Sequence, residues 1–369
     1  MTLEFTEFRV TTRVVAGWGL TASLDVELTR AGLERGLAVT DPGVRPLAER
    51  LLSAAPHHLI GLHDAVTPNS EVGQVERLAE RARETDARFL LAVGGGSVID
   101  TAKAAAIVLT EGGRLLDHQG VNVLTRPLFP VVAVPTTAGT GSEVTCYAVI
   151  RDASAAAKVI FTSEWLAPAL AILDPALTLG LPPALTASTG MDALTHAVEA
   201  YLSNRAGPFS DAPALAALET ICRHLPQAVG DGSDREARWH LLIASCQAGM
   251  AISWAMLGCA HALAHACGGL REVPHGVGNA ILLPHCLEYN RPAVEARWWT
   301  LADAMGADPV KGVAALARRI GLPERLREVG VAEADLEPLA EAAILDGSIF
   351  TNPREATVEE LVQILRAAY

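Results

Sequence analysis

The sequence predicts an α/β N-terminal Rossmann-like domain with a parallel sheet, followed by an all-α C-terminal domain. Three observations carry that expectation. Short apolar runs in the first half end in glycine-, proline- or threonine-rich turns and alternate with amphipathic stretches. Near Asp174-Pro175 and Leu181-Pro182-Pro183 the strand-like pattern stops, and alanine- and leucine-rich stretches of helical period take over. At 369 residues the chain also exceeds one typical core, so two domains are expected, 1–180 and 181–369.

Taken in order, Leu37–Thr40 precedes Asp41-Pro42-Gly43 as a strand precedes its turn. Phe89–Val93 runs into Gly94-Gly95-Gly96-Ser97, and Val131–Val134 runs into Pro135-Thr136-Thr137. Between these strands lie the amphipathic stretches Glu71–Arg83 and Ser97–Leu109, so strand, turn and helix recur as in a parallel sheet covered by helices. Past residue 180, Ala214–His224, Glu236–Met256 and Val358–Ala367 repeat with a 3.6-residue period.

Composition narrows the function. Half the residues are hydrophobic and 19% are charged, which fits a well-buried globular protein and excludes disorder. A net charge of −13 argues against nucleic acid or an anionic membrane as partner. The opening Met1–Phe8 is acidic and alternating, without the basic start and apolar run of an export signal. No run reaches about 18 unbroken apolar residues, so no membrane span is expected. Six scattered cysteines without a C-x-x-C pair read as reduced thiols, and the expected address is cytoplasmic.

Three features carry chemistry. The glycine triplet between a strand and a helix lets backbone approach a phosphate at a helix N-terminus, although a tight turn without ligand is the other reading. The hydroxyl-rich Pro135–Thr145 suits a diphosphate and a nicotinamide amide, with a plain surface loop as its alternative. Asp41, at a strand end, suits a ribose diol and would repel the extra phosphate of NADP; a turn-initiating aspartate is the alternative.

In the second half Asp192 and His196 stand four apart, hence on one helix face. His261 and His275 add two imidazoles, but His261 and His265 are also four apart, and spacing alone nominates either. One carboxylate with three imidazoles suits Fe²⁺ or Zn²⁺ and leaves room for a substrate oxygen or water. The other histidines read as satisfied core or surface side chains.

Together these segments resemble the iron-containing (group III) alcohol dehydrogenase family over nearly the whole chain. The matching pieces are Thr40-Asp41, Val66–Asn69, Gly94–Ser97 with Lys103, Pro135–Thr145, Asp174-Pro175 and Gly190–Glu199. They continue with His261–His265, Pro274-His275-Gly276, Asn279–His285 and Asn352-Pro353-Arg354. The resemblance implies the dehydroquinate synthase-like architecture of two domains. It also implies hydride transfer between NAD and a small alcohol or aldehyde. By the same resemblance Asp192, His196, His261 and His275 hold the metal, and His265 lies beside nicotinamide and substrate; because an imidazole titrates in the useful range, His265 is the candidate proton relay. Asp41, Asn69, Gly95, Gly96, Ser97, Thr136, Thr137, Thr140, Thr145 and Lys158 fall where the family contacts the dinucleotide. A homodimer or larger homo-oligomer is implied as well.

Two departures from the family pattern bear on substrate. Arg271 occupies a stretch where an aromatic is common, and Trp254 a position where small polar residues are common. A pocket arginine would favour an anionic aldehyde, carboxylate or phosphonate; pairing of Arg271 with a nearby acid is the alternative. Maleylacetate reductases share the fold, but their pattern has Asn where Asp192 stands. A dehydroquinate synthase-like lyase would want a more basic pocket.

Overall fold

The computed structural model describes residues 8–154 and 157–369, so most of the stretch read for an export signal, residues 1–7, lies outside it. The described residues group into two units. One comprises residues 10–137 and 142–179; the other comprises 180–369 with 8–9 and 138–141.

The first unit contains strands β1 (Arg13–Ala16), β2 (Gly36–Val39), β3 (Leu59–His63), β4 (Phe89–Gly94), β5 (Gly120–Val121), β6 (Val131–Pro135), β7 (Tyr147–Asp152), β8 (Ala157–Thr162) and β9 (Leu170–Leu173). Its helices are α1 (Leu24–Arg30), α2 (Arg45–Ala54), α3 (Val72–Glu84) and α4 (Gly96–Glu111). Among the described residues, six strands form a parallel sheet in the order β1-β9-β6-β4-β2-β3. A smaller sheet, β5-β8-β7, pairs β7 antiparallel to β8.

Alternation along single strands explains the layering. Leu90 and Ala92 of β4 and Val131 and Ala133 of β6 share a core with Val75 and Leu78 of α3 and Ile99 and Ile107 of α4. Their neighbours Phe89, Leu91, Val93, Val132 and Val134 point the other way, to Leu24 and Leu28 of α1 and Ala48 and Leu51 of α2. Burial on both faces is why these strands read as continuous apolar runs. Each large apolar side chain so buried stabilises the fold by about 1.5–3 kcal/mol. The three expected strands are present as β2, β4 and β6. Strands β1, β3 and β9 and the smaller sheet are additions to the expectation.

Register sets the turns beside one another. Gly94 pairs with Pro135, so the glycine turn and the threonine turn leave adjacent strands at the same sheet edge. Val39 pairs with Ala92, which puts Asp41 at that edge too.

The second unit is built of helices α5 (Pro183–Leu202), α6 (Pro208–Gly230), α7 (Arg235–Ala255), α8 (Cys259–Arg271), α9 (His275–Asn290), α10 (Glu295–Met305), α11 (Pro309–Arg319), α12 (Leu336–Ala343) and α13 (Val358–Ala368). Most of α5 is buried, packed by α6, α7 and α9. Among the described residues no single helix is long and apolar enough to cross a membrane. All six cysteines are free thiols.

Candidate active site

Four of the dinucleotide candidates, Asn69, Gly95, Ser97 and Thr137, come together where β4 and β6 end. Helix α4 starts after extended Gly95, and no side chain caps its first amides. Such an end offers N–H groups and a positive dipole to phosphate. A Cβ added to Gly95 would stand 3.3 Å from Thr137 Oγ1, so the two turns are in contact there. Ser97 Oγ accepts a hydrogen bond from the Asn69 amide at 3.3 Å, which joins the third predicted segment.

Two candidates have other partners as well. Asp41 Oδ1 accepts from the amides of Gly43 (2.8 Å) and Val44 (3.1 Å), so it does initiate the turn into α2. Thr145 is buried, and its hydroxyl receives the Lys103 ammonium at 2.9 Å. Thr136 is buried at the end of β6, while Lys158 lies in β8. Thr140 belongs to residues 138–141, grouped with the helical unit.

In the helical unit, Asp192 and His196 share a face of α5, as four-residue spacing requires. His261 lies in the first turn of α8, and His275 opens α9. Donor atoms of Asp192, His261 and His275 all lie within 4.8 Å of one another. Asp192 Oδ1 is 3.6 Å from His261 Nε2, 3.3 Å from His275 Nε2 and 3.7 Å from His196 Nε2. The His196 ring stacks on His261 with centroids 4.7 Å apart. Donors about 2.1 Å from a tetrahedral ion stand about 3.4 Å apart, so Asp192, His261 and His275 fit one cation, while His196 approaches Asp192 but lies outside that mutually close group.

Close backbone approach makes this convergence possible. A Cβ on Gly276 would fall 2.0 Å from the Ser188 carbonyl oxygen, so only glycine lets α9 start against α5.

Partners to which sequence patterns assign no role orient these side chains. Glu199, a further three residues along α5 from His196, sits 2.6 Å from His261 Nδ1. Its carboxylate also accepts from the amides of Gly258 (3.0 Å) and Ala260 (2.7 Å), satisfying the start of α8. Asn352 Oδ1 takes the Cys259 amide at 3.1 Å. Asn279, one turn after His275, donates to Asp192 Oδ1 at 2.8 Å and lies 3.1 Å from His261 Nε2. His265 is held through Nδ1, 2.9 Å from Asp346 Oδ2, and stacks on His275.

Spacing could have revealed some of these residues. Glu199 continues the i, i+4, i+7 face of Asp192 and His196, and Asn279 stands four after His275. Nothing local points to Asp346.

Electrostatics suit a cation. Burial opposes charge on Asp192, yet His196 and His275, with hydrogen bonds from His261 and His275, hold it well below the carboxylate range. Burial brings His196 down to about 4, against the pull of Asp192. Burial also works against charge on His261, but hydrogen bonds to Asp192 and Glu199 lift it to about 9. An ionised carboxylate facing imidazole nitrogens is the donor chemistry of a divalent transition metal.

The remaining histidines behave as expected where contacts are defined: His58 binds Leu33 O at 2.7 Å and His118 binds Gly112 O at 2.8 Å. Arg271 follows the second of its two readings, pairing with an acid. Its guanidinium is committed to Asp335, with Nε 2.7 Å from Oδ2 and a second bond to Oδ1. The support it lent to an anionic aldehyde is therefore withdrawn. Trp254 donates its indole N–H to the Arg9 carbonyl at 2.6 Å.

Comparison with known proteins gives the family. Residues 11–175 match the model of iron-containing alcohol dehydrogenases, and 186–369 match the C-terminal model of the same family. The chain belongs to the iron-containing alcohol dehydrogenase family. It is 41% identical over 356 residues to a 1,3-propanediol dehydrogenase of Klebsiella pneumoniae, covering 92% of each chain. It is 36% identical over 379 residues to an NAD-dependent methanol dehydrogenase of Bacillus methanolicus, covering 98% of this chain and 100% of that one. The crystal structure of a 1,3-propanediol oxidoreductase matches with a TM-score of 0.96 and 38% identity, over 99% of this chain and 100% of the other. The enzyme is thus an NAD-dependent, metal-binding alcohol dehydrogenase.

Proposed function

We propose that Asp192, His196, His261 and His275 hold one Fe²⁺ or Zn²⁺ ion and that the substrate is a short uncharged alcohol or its aldehyde. The single observation that supports the metal reading most is the cluster of donor atoms around Asp192 Oδ1. In the same reading Asp41, Asn69, Gly95, Gly96, Ser97, Thr136, Thr137, Thr140, Thr145 and Lys158 bind NAD. Support comes from the uncapped start of α4 beside Thr137 and from the Asn69–Ser97 bond. An uncharged substrate is favoured because Arg271 is paired with Asp335.

When bound, the cation would supply Lewis acidity to a substrate oxygen, and NAD would exchange hydride with the substrate carbon at nicotinamide C4. The protein's own groups prepare that exchange. Glu199, by accepting the proton of His261 Nδ1, leaves Nε2 as the ligating nitrogen. Asp346 does the same for His265, so its Nε2 is the atom available to take or give the hydroxyl proton. With its tautomer fixed, His265 can relay that proton without turning over its ring.

The wider reading is of a cytoplasmic homodimer or larger homo-oligomer with domains 1–180 and 181–369. Free thiols throughout favour a reducing compartment.

The test is NADH oxidation by protein reconstituted separately with Fe²⁺ and with Zn²⁺. Short neutral aldehydes should exceed carboxylate- or sulfonate-bearing aldehydes in kcat/KM by at least about tenfold, the weight of about 1.4 kcal/mol. Faster turnover of the anionic set would sink the substrate reading. Full activity after chelation would sink the metal reading.

A further inference from the structure

Helix α8 carries two imidazoles of the site, His261 in its first turn and His265 in its second, yet it begins at a glycine. Gly258 has no side chain with which to cap the open amides of that end. The connection leading into the helix is also strained. Met256 has φ of 65°, a conformation that a residue with a Cβ keeps only where its surroundings hold it there. Where the first turn of α8 stands must therefore be set from outside the helix.

Two side chains from elsewhere in the helical unit do this. Glu199 takes the amides of Gly258 and Ala260. The Cys259 amide between them goes to Asn352 Oδ1 at 3.1 Å, from a residue 93 positions away. Thr351, beside Asn352, donates its hydroxyl to the Leu257 carbonyl at 2.6 Å, so one short segment also grips the strained connection.

Asn352 is itself buried and locked. Its Nδ2 donates to Asn290 Oδ1 at 2.8 Å, and Asn290 Nδ2 donates back to Asn352 Oδ1 at 2.9 Å. The same Nδ2 donates to the Arg354 carbonyl at 2.6 Å. These bonds leave the amide one orientation, with its oxygen toward α8. Asn290 closes α9, the helix that His275 opens. A buried asparagine pair thus ties the start of the His261 helix to the end of the His275 helix. Asp346, six residues before Asn352, holds His265, so the stretch 346–352 steadies both imidazoles of α8.

We propose that Asn352, seated by Asn290, is a positioning residue for His261 and, through it, for metal binding. It acts on the Cys259 amide rather than on the imidazole, and so sets the first turn of α8. This rests on the proposed reading of the cluster around Asp192 as the metal site.

The experiment measures the Zn²⁺ dissociation constant by competition with a chromophoric chelator, beside the unfolding midpoint of the metal-free protein, for the parent and four variants. Asn352→Ala should raise Kd for Zn²⁺ at least about tenfold, as loss of a group that orients a metal ligand does. Asn290→Ala keeps the Cys259 bond but frees the Asn352 amide to turn, so a rise of about threefold is expected. It also keeps the test decisive if Asn352→Ala fails to fold. Arg354→Met loses the bonds to the Tyr289 carbonyl (3.1 Å) and Glu360 (2.7 Å) without touching an α8 amide. It should lower the midpoint and leave Kd within about twofold of the parent.

A merely structural Asn352 would lower the midpoint while both asparagine variants bind Zn²⁺ as the parent does; that result overturns the inference. So does Arg354→Met if its Kd rises as far as that of Asn352→Ala, because affinity would then follow stability alone. His275→Ala separates the two levels. If it loses Zn²⁺ while both asparagine variants bind normally, the positioning role fails and the metal reading stands. If it binds Zn²⁺ as tightly as the parent, the metal reading fails and takes the inference with it.

Discussion

In the helical unit, Asp192, His196, His261 and His275 come from three helices, and Glu199 and Asn279 orient the set. In the sheet unit, Gly95, Ser97 and Thr137 meet where neighbouring strands end, and they offer backbone amides and hydroxyls. One region works with buried ionisable groups that desolvation, neighbouring charges and hydrogen bonds move far from their ordinary ranges. The other works with neutral groups fixed by local backbone geometry. Its buried titratable groups Lys103 and Asp100 hold the loop itself. The contrast teaches that charge chemistry draws on partners remote in sequence, whereas phosphate binding can be assembled from a turn.

The contrast would break first at His275. His275→Ala should remove the metal and lower turnover by at least about a thousandfold, while NADH affinity stays within about twofold. Metal analysis alongside an NADH titration checks both halves. A parallel loss of NADH binding would mean that the two regions do not divide the work as described.

Glu143 sharpens the comparison from the other side. Burial pushes its carboxyl up to about 7 from the ordinary 4.5, against the pull of its own backbone amide and Lys103. Because the folded value is the higher one, its stabilising contribution is complete below about 4.5 and is lost as pH rises through about 7. Glu143→Gln should flatten the decline in stability between pH 5 and 8 by up to roughly 3 kcal/mol. Urea unfolding at three pH values measures it, and an unaltered slope would remove Glu143 from the account.

The smallest expected effect is at Asp41. Asp41→Gly should raise the NADP-to-NAD ratio of kcat/KM about tenfold by removing a repelling carboxylate. It should also cost about 1 kcal/mol of stability, because Gly43 and Val44 lose their acceptor. An unchanged ratio with the stability loss would leave Asp41 as a turn residue alone.

How much was legible follows the same division. Strands β2, β4 and β6 are continuous apolar runs ending in turn residues, and each was readable from its neighbours. Strand β3 (Leu59–His63) is an edge strand containing a glycine and only partly buried, so its pattern is weak. Strand β7 (Tyr147–Asp152) does alternate in burial, but the polar loop before it masked its start. Asp192 and His196 were visible by helical spacing. The choice between His261 and His265 was not, because four-residue spacing cannot say which imidazole faces α5. That choice depends on Glu199 and Asp346, which lie 62 and 81 residues from the rings they hold. The acid that pairs with Arg271 was hidden for a related reason: Asp335 is 64 residues away.

The bare backbone at position 276 has a practical consequence. Thermostabilising campaigns often exchange glycines for alanines to stiffen helices, and here one added methyl would collide with a carbonyl oxygen at 2.0 Å. Relief would require the two helices to part, and the imidazole next door would travel with them. Any engineering of this scaffold should therefore treat that glycine as inseparable from the histidine before it.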